Sequence, residues 1–180
     1  MPDTRTQILD LAEESVRARG YHAVSFRDIA MALDVKSASI HYHFRHKQDL
    51  GLAIVDRYAL RVADRLGSSE GLSWPEAVQR FGQVYQEAVQ QQGLQCLCGL
   101  LAAESAGLPE EISKRVAEFF ASNLKWLAAS QRQTPAPLSR ERAVRVQSEV
   151  QGAMLLAVSL KDPALLAMVV NRLHSEALQL

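Results

Sequence analysis

Apolar residues recur every three or four positions along nearly the whole chain, and no alternating run of β-branched residues interrupts that spacing. The first stretch carries Ile8, Leu11, Ala12 and Val16. It opens at Asp3 or Thr4, residue types that cap helices, and closes at Gly20. Ser25-Phe26-Arg27-Asp28 then forms an S-x-x-D capping box at the head of a short second helix that buries Ile29, Ala30 and Leu33. Asp34-Val35-Lys36-Ser37 breaks the pattern, and another short helix follows through Ser39, Ile40 and Phe44. A longer helix runs from near His46 to about Leu66, with Leu50, Ile54, Tyr58 and Val62 on one face.

Beyond the loop Gly67–Gly71, Ser73-Trp74-Pro75-Glu76 restarts a helix that presents Val78, Phe81, Tyr85 and Ala88. Helices from Cys96 to Ser105 and from Pro109 to about Gln131 come next, and Thr134-Pro135-Ala136-Pro137 reads as a linker. Two final helices, about Arg140 to Leu160 and Pro163 to Leu178, meet at Lys161-Asp162-Pro163. The prediction is an all-α protein of about nine helices. Residues 1–46 form a three-helix head, and residues 47–180 form a helical body.

Composition adds constraints rather than a function. At 48% apolar and 22% charged, the chain has ample material for a core and an ordinary soluble surface. Lys plus Arg and Asp plus Glu balance at 20 each, so a nucleic-acid partner would have to be read from a local patch. The N-terminal residues lack the apolar segment of a secretory signal, and no apolar run reaches membrane-spanning length. Cys96 and Cys98 stand too close together for a structural disulfide, which points to a reducing, cytoplasmic setting. C-x-C without further cysteines or a nearby paired histidine is a weak metal signal, and no cofactor is expected. The absence of H-E-x-x-H, G-x-S-x-G and a Gly-rich phosphate loop argues against an enzyme.

The local patch lies between Lys36 and Lys47. It contains Lys36, Arg45 and Lys47 and no acidic residue, together with Ser37, Ser39, His41, Tyr42 and His43. Two short helices joined by a tight turn, the second rich in groups that reach phosphates and base edges, form the pattern of a helix-turn-helix. Phe26-Arg27-Asp28-Ile29-Ala30, Leu33-Asp34-Val35, Ile40-His41-Tyr42-His43-Phe44 and Lys47-Gln48-Asp49-Leu50 resemble the head of the TetR family of transcriptional regulators. The resemblance covers residues 5 to 58. It implies phosphate contacts from Ser25, Tyr42 and Lys47. It also places Ser37, Ser39, His41 and His43 in the groove, with Arg27 and Lys36 at its edges. Two departures stand out: Asp34 occupies a turn position that usually holds Gly because it needs positive φ, and His41 replaces a common Tyr.

In the body, Phe81, Tyr85, Cys96, Glu104, Phe119, Asn123, Trp126 and Met154 are the candidates for contacting a small-molecule effector. Asn123 and Glu104 stand out as polar residues interrupting apolar stripes, since a buried polar group needs a partner. The last two helices resemble the family's dimerisation pair through Val144, Val150, Met154, Leu155 and Val158 with Leu165, Leu166, Val169, Val170 and Leu173. The resemblance therefore implies a homodimeric repressor on a palindromic double-stranded DNA operator, released by a small molecule. Two other readings compete. One is a repressor that senses electrophiles or oxidants through Cys96, whose thiolate a helix N-terminus would stabilise. The other is a helical interaction module that no longer binds DNA.

Overall fold

The computed structural model describes residues 3–131 and 135–180; Met1, Pro2 and Thr134 of the expected linker lie outside the described residues. Nine α-helices and one 3-10 turn account for the regular structure among them, with no strand. They run α1 (Thr4–Arg19), α2 (Phe26–Ala32), α3 (Ser37–His43), α4 (Lys47–Leu66), α5 (Trp74–Gln92), α6 (Leu97–Ala103), the 3-10 turn Ser105–Gly107, α7 (Glu110–Ala129), α8 (Ala136–Ser159) and α9 (Ala164–Ala177).

The expected helix starts hold because their chemistry is local. Asp3 accepts the Thr6 N–H at 2.7 Å to cap α1, and the Ser25 hydroxyl accepts the Asp28 N–H at 3.2 Å to cap α2. At α5, Glu76 reaches back to the Ser73 N–H at 2.7 Å, completing a capping box. The α2–α3 turn passes through Asp34 at φ 53°, so the positive φ that favours glycine is carried here by an aspartate. Pro135 and Pro137 behave differently from the linker expected of them. Pro135 is the residue before the first turn of α8 and Pro137 lies within that turn, where a missing N–H costs nothing.

The chain divides into two compact units, residues 1–60 with 97–118 and residues 61–96 with 119–180. In the first, α2 and α3 are too short to persist alone. Ile29 and Ile40 are fully enclosed and Phe44 nearly so, each burial contributing about 1.5–3 kcal/mol. Ion pairs tie α4 to α1: Arg57 meets Asp10 at 2.7 Å and Glu13 at 3.2 Å, while buried Arg17 lies 3.7 Å from Glu13.

In the second unit α5 packs on α9 and α8, and α8 on α9. Gly82 makes the α5–α9 approach possible, because a Cβ there would stand 2.4 Å from Val170 Cγ1. Val150, Met154, Leu166, Val170 and Leu173, expected to meet a partner chain, are buried within this chain instead. The large apolar residues left open on α8 and α9 are Leu138, Val144, Leu155, Leu156 and Met168, with Leu160 just beyond the end of α8. On the exposed surface Arg145 and Arg172 of these helices bridge Glu149 and Glu176 in a four-membered ion network.

Candidate functional site

The short helix α3 hides Ile40 and leaves Lys36, Ser37, His41 and Tyr42 exposed, with Ser39 and His43 half-buried. Tyr42 is 85% exposed, an unusual position for an aromatic ring with no use on the surface. Two edge-to-face contacts steady the rings: His41 on Phe26 at 4.9 Å and His43 on Tyr42 at 5.1 Å between centroids. The result is a ridge of hydroxyls, imidazoles and one ammonium with no acidic residue of its own, suited to reach phosphates and base edges together. Arg27 is exposed on α2.

Two residues given phosphate roles by resemblance have other engagements. The Ser25 hydroxyl both accepts the Asp28 N–H and donates to Asp28 Oδ2 at 2.7 Å. Lys47 is turned inward: its Nζ donates to the His22 carbonyl at 3.2 Å and stands 4.5 Å from the centre of the Tyr21 ring. Burial draws the Lys47 ammonium below the usual lysine range, with the Glu104 carboxylate opposing that shift. Burial likewise raises the Tyr21 phenol.

Glu104 belongs to this corner, in the first unit, and is the only effector candidate there. Its Oε2 accepts the Tyr21 N–H at 3.0 Å, across 83 positions of sequence. Gly20 is required beside it, both for its φ of 85° and because a Cβ would lie 2.4 Å from Glu104 Oε1. The turn between α1 and α2 is thus held by Lys47 from α4 and by Glu104 from the end of α6.

The other candidates lie in the second unit, where the structure brings four of them together. Asn123 Nδ2 donates to the Tyr85 hydroxyl at 3.0 Å in a buried setting. Phe81 stacks obliquely on Tyr85 at 5.1 Å and on Trp126 at 6.4 Å. The Trp126 indole N–H is spent on the Gly67 carbonyl at 2.7 Å. Phe119, Cys96 and Met154 are buried in the same unit, Phe119 against Phe120. Both cysteines are enclosed in the protein and form no disulfide, Cys96 one residue ahead of α6. No group of metal-binding side chains occurs among the described residues, and no described helix is long and apolar enough to cross a membrane. Sequence reasoning passed over Gln147 and Gln151 on α8, polar residues whose spacing looks like an ordinary solvated helix face.

Comparison with known proteins agrees with this layout. Residues 8–54 match the profile of bacterial regulatory proteins of the tetR family, and residues 75–172 that of the C-terminal domain of LmrA/YxaF-like transcriptional regulators. The transcriptional regulator AcuR of Cereibacter sphaeroides is 30% identical over 103 residues, which are 54% of this chain and 47% of that protein. The HTH-type transcriptional repressor NemR of Escherichia coli is 26% identical over 115 residues, 61% of this chain and 58% of that one. The chain spans about half the length of the curated relatives it matches. Among solved structures, a TetR transcriptional regulator from Legionella pneumophila superposes with a TM-score of 0.90 at 31% identity over 98% of both chains. A TetR-family regulator from Agrobacterium tumefaciens gives 0.86 at 26% identity over 96% of both.

Proposed function

The chain belongs to the TetR family of bacterial transcriptional regulators, DNA-binding proteins rather than enzymes, and on that premise we propose that it is a homodimeric repressor released from its operator by a small molecule. The observation that carries the reading is the acid-free ridge of α3, with Lys36, Ser37, His41 and Tyr42 exposed on a helix narrow enough for the major groove. Ser39 and His43 would support contacts at its margin, Arg27 would add a phosphate contact from α2, and the Ser25 hydroxyl could share its hydrogen bonds with one.

One such head reads too few base pairs to bind tightly, and two-fold pairing on half-sites about one helical turn apart supplies the rest. The exposed apolar residues Val144, Leu155 and Leu156 on α8 and Met168 on α9 support pairing through these helices. Gly152 lies on the same face of α8, with open space where a Cβ would stand. In the body, the Phe81–Tyr85–Asn123–Trp126 cluster, with Phe119, Cys96 and Met154, supports an effector site that is mostly apolar with few polar groups. An effector that prefers the form unable to fit DNA would release the operator in proportion to that preference. Helix α4, whose residues are shared between the two units, is suited to transmit the change.

Selection of bound duplexes from a random pool, followed by titration of the selected site against salt, tests the reading. Wild-type protein should show a steep, sequence-dependent salt response. Lys36→Ala should flatten the log–log slope by about one unit for each head, about two for the dimer. Lys47→Ala should leave the slope unchanged, because its ammonium is committed to His22 and Tyr21. Failure to select any sequence would overturn the proposal.

A further inference from the structure

Three buried hydrogen-bonding atoms on α8 are left without partners. Gln147 is 7% exposed, and neither its Oε1 nor its Nε2 has a hydrogen-bond partner among the described residues. One helical turn on, Gln151 Nε2 is equally enclosed and equally unpartnered. Folded proteins rarely leave such atoms bare, since each gives up hydrogen bonds that water supplies to the unfolded chain. The other buried amides of this unit are answered: Asn123 by the Tyr85 hydroxyl, and Gln131 by the Ser139 carbonyl at 3.2 Å. Within this unit the open hydrogen-bonding capacity among the described residues is therefore concentrated on α8; in the first unit Arg57 Nε and Ser113 Oγ also lack a partner, but they lie on separate helices.

Residues 147, 151 and 154 follow at i, i+4 and i+7, so the two glutamines and the fully buried Met154 share one flank of α8. The other flank carries Arg145 and Glu149, engaged with Arg172 and Glu176 of α9. The glutamines thus turn away from α9. Gln95 Nε2 donates to the Leu155 carbonyl at 3.3 Å, which lays the connection between α5 and α6 against this end of α8.

We propose that Gln147 and Gln151 are the polar recognition point of the effector site, and that the effector is an uncharged molecule whose carbonyl adjoins an N–H or O–H donor: a carboxamide, a urea or a lactam. The proposal rests on the reading that the protein answers to a small molecule. Two Nε2 donors can share the two lone pairs of one carbonyl oxygen, while Gln147 Oε1 requires a donor from the same ligand. Exchanging the two ends of the Gln147 amide leaves that demand unchanged. The buried polar residues of this unit, Asn123, Gln131, Ser139 and Gln147, include no ionised group. A carboxylate or an ammonium would enter without a counter-charge and lose its hydration unrepaid.

Thermal melting without DNA tests this, using benzamide, nicotinamide and 2-pyrrolidone against benzoate and nicotinate at equal millimolar concentrations. At least one amide should raise the melting temperature of the wild-type protein by linkage, and the carboxylates should not. Gln147→Met and Gln151→Met remove unpaired amides at nearly constant volume. They should melt no lower than wild type without ligand, yet lose the amide-induced shift. The proposal is overturned by the absence of any amide shift, by equal shifts from the carboxylates, or by a shift that survives in both variants. Operator binding by the ligand-free variants is read separately. If it persists while the amide response is absent, only the ligand assignment has failed; if it is missing from wild type and variants alike, the repressor reading has failed.

Discussion

Buried polarity differs in kind between the two units. In the first, the most deeply buried polar side chains are ionised: Glu13 and Arg17 lie under α4, with Arg57 reaching in to Glu13, and the enclosed atoms left without partners are Arg57 Nε and Ser113 Oγ. In the second they are neutral, Asn123, Gln131, Ser139 and Gln147, and two of the amides on α8 keep open hydrogen-bonding capacity. Ionised pairs out of water hold one geometry, because any displacement strands a charge. Neutral amides tolerate rearrangement and can exchange one partner for another at small cost. Under the proposed function, the contrast fits a first unit that presents α3 in a fixed pose and a second unit that admits an effector.

The largest test of the contrast is Glu13→Leu. It leaves the Arg17 guanidinium buried without its nearby carboxylate and should lower stability by about 3–5 kcal/mol in urea unfolding. A loss no larger than that of a surface substitution would remove the distinction between the units. A smaller effect is expected in the body. Tyr85→Phe orphans the Asn123 amide and should cost about 1–3 kcal/mol, and adding Asn123→Leu should recover most of it because both polar groups are then gone. An additive double mutant would show that Asn123 is held by something other than Tyr85.

The smallest effect concerns helix starts and appears as pH dependence. Hydrogen bonds from Thr6 hold the Asp3 carboxyl below the ordinary carboxylate range, and bonds from Ser73 do the same for Glu76. A group whose folded-state pKa is depressed contributes stability above its unfolded value and loses it as pH falls through the folded one. Stability measured by urea unfolding should therefore decline below about pH 4, and Asp3→Asn should lessen that decline.

What could be read from the sequence was decided by distance along the chain. Ser25 as a cap, the Ser73–Glu76 box and Asp34 at positive φ all depend on neighbours within a few residues, so their signals are local. Pro135 and Pro137 were ambiguous at that range, because proline suits a linker and a helix start equally well. Periodicity marked Val150, Met154, Leu166, Val170 and Leu173 as buried without saying what covers them, and their own chain does so. Glu104 is an effector candidate because it is a polar residue interrupting an apolar stripe, and Lys47 is a phosphate contact by resemblance alone. Their partners, Tyr21 N–H and His22 carbonyl, lie 83 and 25 positions away, beyond any helical period. Gln147 escaped notice for the opposite reason: nothing in its sequence context distinguishes a buried glutamine from a solvated one.

The Glu104 contact has a consequence for how such a protein can diversify. A carboxylate that holds a main-chain N–H is indifferent to the side chain at residue 21, proline excepted, and asks only that residue 20 have no Cβ. That one bond is therefore generic, although the buried Tyr21 ring that meets Lys47 is not, while the exposed surface of α3 is idiosyncratic. Heads with different sequence preferences could be exchanged onto the same socket, so that a lineage acquires new targets without inventing a new grip.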